Sequence, residues 1–310
     1  TGTTPDGATA LPNACGGVVL DGASNVSIGG SGAGEGNVIS GNTGDGIDTT
    51  WVTNAVIQGN VIGLAVDENT VRANSQGGID IGVGSTVTVS DNIISGNGSI
   101  GLATESDDLT IADNLIGTDG TGLLDRGNGS IGLHVGGGAN QVIGGAGIGN
   151  TISGNGSDGV QFSVSSQVDA VVQGNHIGVG TDGTTALANG LRGIAVFSSD
   201  GILIGGSGVG EGNIIANSAS RGVITNSTAT DIALVGNSVY ANSGIGFGLG
   251  LDGVTANDVG DGDSGSNDLL NFPVIASATK EGSVVTLDHT LDVPAGTYRV
   301  EFFDNPSGAD

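Results

Sequence analysis

One phrase recurs along this chain: an Asn, a short apolar run, a polar turn, and then Gly followed by Ile or Val. It is clearest as NVISGNTGDGI at Asn37–Ile47 and NTISGNGSDGV at Asn150–Val160. Looser copies are NIISGNGSIGL at Asn92–Leu102 and NIIANSASRGV at Asn213–Val223. A repeat of this period indicates stacked units that bury one continuous core. The recurring residues are therefore expected to form a scaffold, and function is sought where the pattern breaks.

Two kinds of unit alternate along the repeat. The first Asn of the phrase stands at positions 37, 60, 92, 114, 150, 175, 213 and 237, so a short interval alternates with a long one. The longer units carry insertions at 64–77, 117–129 and 179–191. Arg72, Arg126 and Arg192 are interpreted as equivalent positions in these insertions, and that regularity favours a structural or salt-bridging role.

Each unit contains three short strand-like runs: one starting at Gly-Ile, one of the form VxI, and the NxI run itself. The runs alternate inward aliphatic with outward polar residues, and Gly, Asn, Asp and Ser supply the turns between them. The economical fold is all-β: a right-handed parallel β-helix of about nine coils with three short sheets. The expected onsets of the Gly-Ile strand are near Val18, Ile47, Ile79, Ile100, Ile131, Val160, Ile194, Val223 and Ile245. The Asn residues of NxI should stack as a hydrogen-bonded ladder.

These phrases together resemble the parallel β-helix repeat proteins of the pectate-lyase-like superfold. More closely, they look like long bacterial secreted or cell-surface repeat proteins, and the likeness covers about residues 16–250. The resemblance implies the fold and a secreted or cell-surface location. It does not imply one activity, because the same fold hosts lyases, hydrolases, epimerases, tailspikes and adhesins.

The charge of the chain excludes several kinds of partner. Asp and Glu outnumber Lys and Arg by 32 to 6, which gives a net charge of −26. A nucleic-acid partner needs a basic face, and an anionic membrane surface would repel this chain. No apolar run is long enough to cross a membrane as a helix. Cys15 is the single cysteine, so an internal disulfide is impossible.

The repeat, taken as residues 1–250, gives way to an acidic linker at 251–270. Its oxygen-bearing residues alternate with Gly, as a flexible loop that wraps a Ca²⁺ ion requires. The candidate calcium ligands are Asp258, Asp261, Asp263, Asn267 and Asp268. The alternative is a solvated acidic turn, because the loop lacks the terminal Glu of an EF-hand.

Residues 271–310 contain three further strand-like runs, at Val274–Ala278, Ser283–Leu291 and Thr297–Phe303. They are interpreted as an incomplete β-sandwich-like module, since a sandwich of this kind needs about seven strands. Exposed strand edges would make the segment a site for pairing with another copy of the chain.

Candidate catalytic residues are few. Asp107 and Asp108 are adjacent, so in a strand they would point to opposite faces. The Gly-His-Gly and Arg-x-Lys phrases of β-helix hydrolases and an epimerase-like Asp-Pro-His phrase are absent. The three histidines, His134, His176 and His289, are scattered and are expected at surface or stacked positions.

An aromatic stack of Trp51, Phe162 and Phe197 is a further expectation, with a carbohydrate platform as its functional alternative.

The sequence favours a non-catalytic extracellular structural or adhesive protein that self-assembles through its C-terminal strands. The alternatives are a polysaccharide lyase or hydrolase with a groove between the insertions, and a carbohydrate-binding module that contacts surface glycans. No residue is assigned a catalytic role, and calcium is the only cofactor expected.

Overall fold

A computed structural model describes residues 1–4, 9–163, 167–226, 228–250 and 254–302. Nearly all regular structure is β. In chain order the strands are β1 Val18–Asp21, β2 Ser24–Gly29, β3 Val38–Ile39, β4 Ile47–Thr50, β5 Val52–Gln58, β6 Val61–Ile62, β7 Ile79–Ile81, β8 Gly84–Ser90, β9 Ile93–Ile94, β10 Leu102–Thr104, β11 Thr110–Ala112, β12 Leu115–Ile116, β13 Leu133–Val135, β14 Val142–Gly144, β15 Thr151–Ile152, β16 Val160–Phe162, β17 Gln167–Gln173, β18 His176–Ile177, β19 Ile194–Phe197, β20 Asp200–Gly205, β21 Ile214–Ala216, β22 Val223–Asn226, β23 Ile232–Val235, β24 Ser238–Tyr240, β25 Phe247–Leu249, β26 Val274–Glu281 and β27 Val284–Thr290. One 3₁₀ turn spans Ser266–Leu269.

Every third strand up to β25 belongs to the same parallel sheet. Sheet A contains nine strands, from β1 to β25, while sheet B (β2 to β23) and sheet C (β3 to β24) contain eight each. This is the predicted parallel β-helix, and sheet A gives the predicted nine coils. Three onsets were placed two residues early: the strands begin at Leu102, Leu133 and Phe247. In each of those coils the predicted Ile is followed by a Gly, and the strand begins at the Leu or Phe after that Gly.

The core is a set of in-register aliphatic columns. In sheet C the inward residues pair directly from coil to coil, in the order Ile39, Ile62, Ile94, Ile116, Ile152, Ile177 and Ile215. All seven are essentially inaccessible to solvent. Burying a side chain of this size contributes about 1.5–3 kcal/mol. Small branched residues suit this interior because identical side chains repeat at the strand spacing of about 4.8 Å.

The Asn ladder predicted from NxI is present along the whole rod. The side-chain Nδ2 of each Asn donates to Oδ1 of the Asn in the next coil at 2.8–3.0 Å. The ladder runs through Asn37, Asn60, Asn92, Asn114, Asn150, Asn175, Asn213 and Asn237. The backbone N–H of each ladder residue donates to the same oxygen, as at Asn114 with Asn150 at 3.0 Å. These amides therefore satisfy buried polar groups at the turn from sheet B to sheet C.

A second ladder, which was not predicted from the sequence, lies at the turn from sheet C to sheet A. Its amides join at 2.7–3.2 Å. Its members are Asn13, Asn42, Asn74, Asn97, Asn128, Asn155 and Asn189. The signal was the sixth residue of the NxISGN phrase. The ladder is interrupted at Ser218, whose buried Oγ has no partner among the described residues. In the last coil Asn242 occupies the ladder position, and its Oδ1 accepts the Ser218 N–H at 3.0 Å.

This second ladder explains the Gly of Gly-Ile. A Cβ at Gly101 would lie 2.7 Å from Nδ2 of Asn128 and 2.6 Å from the carbonyl oxygen of Gly132. Any larger residue would push the ladder amide out of register, so glycine is required by close approach at this position.

The insertions form a column over the outward side of sheet C. Short antiparallel bridges close them at Leu64 with Val71, Thr118 with Asp125 and Val179 with Ala186. They also contact one another: the Gly120 N–H donates to the Glu68 carbonyl at 2.9 Å, and the Thr181 N–H to the Gly122 carbonyl at 3.1 Å. A fourth copy, closed by Thr3 with Ala10, was missed. Its signal was the likeness of GTTPDGATALPN to GVGTDGTTALAN, although residues 5–8 lie outside the described part.

The equivalence proposed for three arginines is wrong for one of them. The backbone N–H of Arg72 donates to Gly63 and that of Arg126 donates to Gly117, but in the third insertion Leu187 makes this bond to Gly178. Arg192 instead forms an ion pair with Asp158 at 3.2 Å, and its guanidinium lies 5.3 Å from the centre of the Phe197 ring.

The C-terminal segment contains one antiparallel hairpin, β26 with β27, rather than three strands. The predicted runs at 274–278 and 283–291 correspond to these two strands. Residues 297–302 of the third run are not a strand, and Phe303 lies outside the described residues. Before the hairpin, Ser266 and Asn267 contact the last coils: the Ser266 hydroxyl donates to Thr225 Oγ1 at 2.5 Å, and the Asn267 N–H donates to the Ala229 carbonyl at 2.8 Å. The division into three domains stays a prediction.

Within the described ranges, none of the helical structure is long or apolar enough to span a membrane.

Candidate metal centre and the exposed face of sheet A

Three of the five predicted metal ligands lie together in the loop between the rod and the hairpin. One carboxylate oxygen from each of Asp258, Asp261 and Asp263 lies within 4.8 Å of the others. The loop that carries them is fixed by Asn271, a residue that is 4% exposed. Its amide accepts the Asp258 N–H at 3.0 Å and donates to the carbonyl oxygens of Asp258 at 2.9 Å and of Asp292 at 2.6 Å.

Two oxygens of this cluster have no hydrogen-bond donor. Oδ1 of Asp258 and Oδ1 of Asp263 are buried atoms without a partner in the described part of the chain. Elsewhere in the cluster, Asp261 Oδ1 accepts the Asn271 N–H at 2.7 Å and Asp258 Oδ2 accepts the Gly262 N–H at 3.1 Å. A buried, unpaired carboxylate oxygen is costly, and several close together repel one another. Clustered carboxylate oxygens on a Gly-rich loop are the donors that Ca²⁺ prefers, so the residues present fit this ion.

The other two predicted ligands are not part of the cluster. Asn267 is engaged with the last strand of sheet B: its Oδ1 accepts the Ile232 N–H at 2.9 Å, and its Nδ2 donates to the Ile232 carbonyl at 2.6 Å. Asp268 is exposed and has a φ of 55°. Asn267 therefore terminates a sheet edge, and the metal hypothesis reduces to three aspartates.

A row of carboxylates lies on the outward face of sheet A, where no site was predicted from the sequence. Asp48 and Asp80 are direct partners in the register of β4 and β7. Glu105 follows one coil later, directly after β10, and Asp45 stands at the turn before β4. Partial burial raises the pKa of Asp80, and the charges of Asp45, Asp48 and Glu105 raise it further, although the side chain remains accessible to solvent. The sequence contains a signal for this pair: Asp48 in GIDTT and Asp80 in GIDIG both follow the Gly-Ile step, so they occupy the same outward position in neighbouring coils.

Farther along the same face, a histidine contacts a serine. His134 points outward from β13, as expected, and its Nε2 lies 2.6 Å from Oγ of Ser163. Burial lowers the pKa of His134, and the charge of Glu105 opposes that shift. The imidazole is therefore biased toward its neutral form.

The remaining candidates have structural roles in the described residues. Asp107 accepts the Ala139 N–H at 2.8 Å, and Asp108 accepts an amide hydrogen of Asn140 at 2.9 Å, so both hold the turn from sheet A to sheet B. His176 Nδ1 lies 3.0 Å from the Gly180 carbonyl oxygen, under an insertion. The ring of His289 packs edge-on against Phe302 at 5.1 Å.

The prediction of an aromatic stack is wrong. Phe162 is fully buried and pairs with Val196, whereas Phe197 is one residue farther along the strand and points outward. Trp51 is 63% exposed and follows β4.

No protein-family model matches the chain, and no curated protein matches it in sequence.

Proposed function

We propose that the protein is an extracellular or cell-surface structural or adhesive rod that associates with a second copy through its C-terminal hairpin. The observation that carries the proposal is the exposure of that hairpin. Every residue of β26 is exposed, and in β27 only Leu287 is even half-buried. Val284 is 63% exposed and Ile275 52%. A two-stranded hairpin alone is marginally stable in water, so a partner that covers its apolar side chains would stabilise it.

Calcium has a place in this proposal at the junction between rod and hairpin. Asp258, Asp261 and Asp263 would hold the ion, and Asn271 would orient the loop around it through Asp258 and Asp292. The ion would supply positive charge to a loop whose carboxylates otherwise repel one another. A net charge of −26 also suits surroundings rich in cations, which screen the repulsion between copies.

The experiment is sedimentation velocity over a range of concentrations with calcium present. Val284→Lys introduces a charge on the hairpin, and Val209→Lys, at a fully exposed position in the rod, makes the same change elsewhere. We expect the wild type and V209K to associate as concentration rises and V284K to stay monomeric. A wild-type protein that remains monomeric at every concentration, or equal association of the two variants, contradicts the proposal.

A second candidate function is polysaccharide hydrolysis, and the paired Asp48 and Asp80 favour it. Glycosidases use two nearby carboxyl groups, one with a raised pKa, and neighbouring coils bring these two side chains within about one strand spacing. The insertions do not wall this face, since they lie over sheet C. Release of reducing ends from a polysaccharide panel, lost in Asp80→Asn and kept in Asp231→Asn, would support this function. The absence of turnover would remove it and leave the structural role intact.

A further inference from the structure

We infer that Ser163 and His134 form a nucleophile and general base that hydrolyse carboxylic esters on the outward face of sheet A. The contact between Ser163 Oγ and His134 Nε2, at 2.6 Å, is the geometry that activates a serine. This site is independent of the hairpin and of the calcium loop, and it adds an activity to the proposed structural role.

The scaffold fixes both side chains on consecutive coils. His134 lies in the middle of β13, and Ser163 directly follows β16, which pairs in register with β13. The Ser163 N–H donates to the Val135 carbonyl at 3.1 Å, so the serine backbone is tied to the histidine strand. Ser163 itself is exposed, which leaves its hydroxyl open to a substrate.

A missing side chain makes room for the imidazole. Gly136 occupies the position of its own coil that Glu105 occupies one coil before and Ser163 one coil after. A Cβ at Gly136 would lie 3.2 Å from Cε1 of His134 and 3.7 Å from Cγ of Glu105. The glycine thus leaves a gap bordered by the Glu105 side chain and the imidazole. Glu105, His134 and Ser163 follow one another across three coils in the order of a carboxylate, a base and a nucleophile.

Ester hydrolysis at this site needs only the ester and water as reactants. The serine oxygen attacks the ester carbonyl carbon as its proton passes to His134 Nε2. The alcohol leaves with that proton, and an acyl ester remains on Ser163. A water molecule, deprotonated by the same imidazole, then releases the carboxylic acid and restores the serine. Glu105 is a positioning residue, since its charge acts on His134 and favours the imidazolium that forms in each step.

The test uses the full chain, a fluorophosphonate probe and 4-nitrophenyl acetate. His134→Gln keeps a side chain able to bond Ser163 but removes the base, and His176→Gln is the control on sheet C. We expect probe adducts at Ser163 in the wild type and H176Q, and a loss of labelling and ester turnover of about 10²-fold or more in H134Q and Ser163→Ala. Absence of an adduct at Ser163, or equal labelling of H134Q, overturns the inference. Melting curves report whether each variant is folded.

Glu105→Gln tests the positioning role by its pH profile. Glu105 is the charged group that raises the pKa of His134. Its removal should lower that pKa and move the acid limb of the pH–rate profile to lower pH. An unmoved limb would exclude the electrostatic role of Glu105.

Discussion

The rod and the hairpin use similar residues in opposite environments. In the rod, an aliphatic side chain such as Ile116 is fully buried, and polar residues such as Asn114 are buried with their hydrogen bonds satisfied. In the hairpin, Ile275 is half exposed, and among the described residues the two strands pair only with each other. The contrast teaches that the coils of the rod bury their apolar side chains within one chain, whereas the hairpin leaves its apolar side chains exposed.

The largest expected difference comes from the same substitution in the two regions. Ile116→Ala removes a fully buried side chain and should cost about 2–5 kcal/mol in the free energy of unfolding. Ile275→Ala, at an exposed site, should change the stability of the monomer by about 0.5 kcal/mol or less. Urea denaturation at low protein concentration measures both values. Similar losses would mean that the hairpin is as well packed as the rod.

The ladder provides a second comparison, between its centre and its end. Asn114→Ala should destabilise the rod by about 2–3 kcal/mol, because it removes side-chain hydrogen bonds to buried partners in the coils on both sides. Asn37→Ala, at the exposed end of the same ladder, should cost about 1 kcal/mol. Thermal unfolding of the two variants tests this order, which equal losses would refute.

Calcium should stabilise the junction through a subset of the acidic residues. An ion that binds only the folded state, present at about 100 times its dissociation constant, adds about 2.7 kcal/mol to the free energy of unfolding. We expect calcium to raise the melting temperature of the wild type and of Asp268→Asn, but not that of Asp263→Asn. An unchanged midpoint on adding a chelator to the wild type would remove the metal from the account.

Repairing the interruption in the second ladder should increase the stability of the rod. Ser218→Asn should place an amide between Asn189 and Asn242 and stabilise the rod by about 1 kcal/mol. Differential scanning calorimetry against Ser157→Asn, a change outside the ladder, isolates this effect. A destabilised S218N would show that the coil cannot accommodate the larger side chain.

The smallest effect concerns pH. The pKa of Asp80 is raised in the folded state, so the folded protein binds the proton more tightly than the unfolded chain does. Stability from this group is therefore present at low pH and falls as pH rises through the ordinary range of an aspartate to the raised value. Asp80→Asn should raise the melting temperature slightly at neutral pH and have no such benefit below the ordinary pKa. An equal rise in melting temperature at neutral pH and below the ordinary aspartate pKa would mean that the rise has a cause other than the raised pKa of Asp80.

The repeat could be predicted from sequence because its physics is local and repeated. Each Asn, aliphatic and Gly position recurs often enough to reveal the three sheets and the first ladder. The second ladder was missed because the insertions separate its Asn from the NxI phrase by different lengths.

The surface chemistry could not be predicted in the same way. His134 and Ser163 lie 29 positions apart, and only the register of β13 and β16 brings them together. At the acidic loop, composition predicted that Asp258, Asp261 and Asp263 belong to one cluster of carboxylates, which the structure shows. The bonds of Asn267 to Ile232 could not be predicted, because they depend on how the loop returns to the last coil.

Hydrogen exchange followed at several protein concentrations tests the central contrast most directly. We expect slow exchange for the amides of sheets A, B and C at every concentration. We expect fast exchange for β26 and β27 in the dilute protein and protection of these strands as concentration rises. Hairpin amides as protected as the rod in the dilute protein, or unprotected at every concentration, would contradict this contrast.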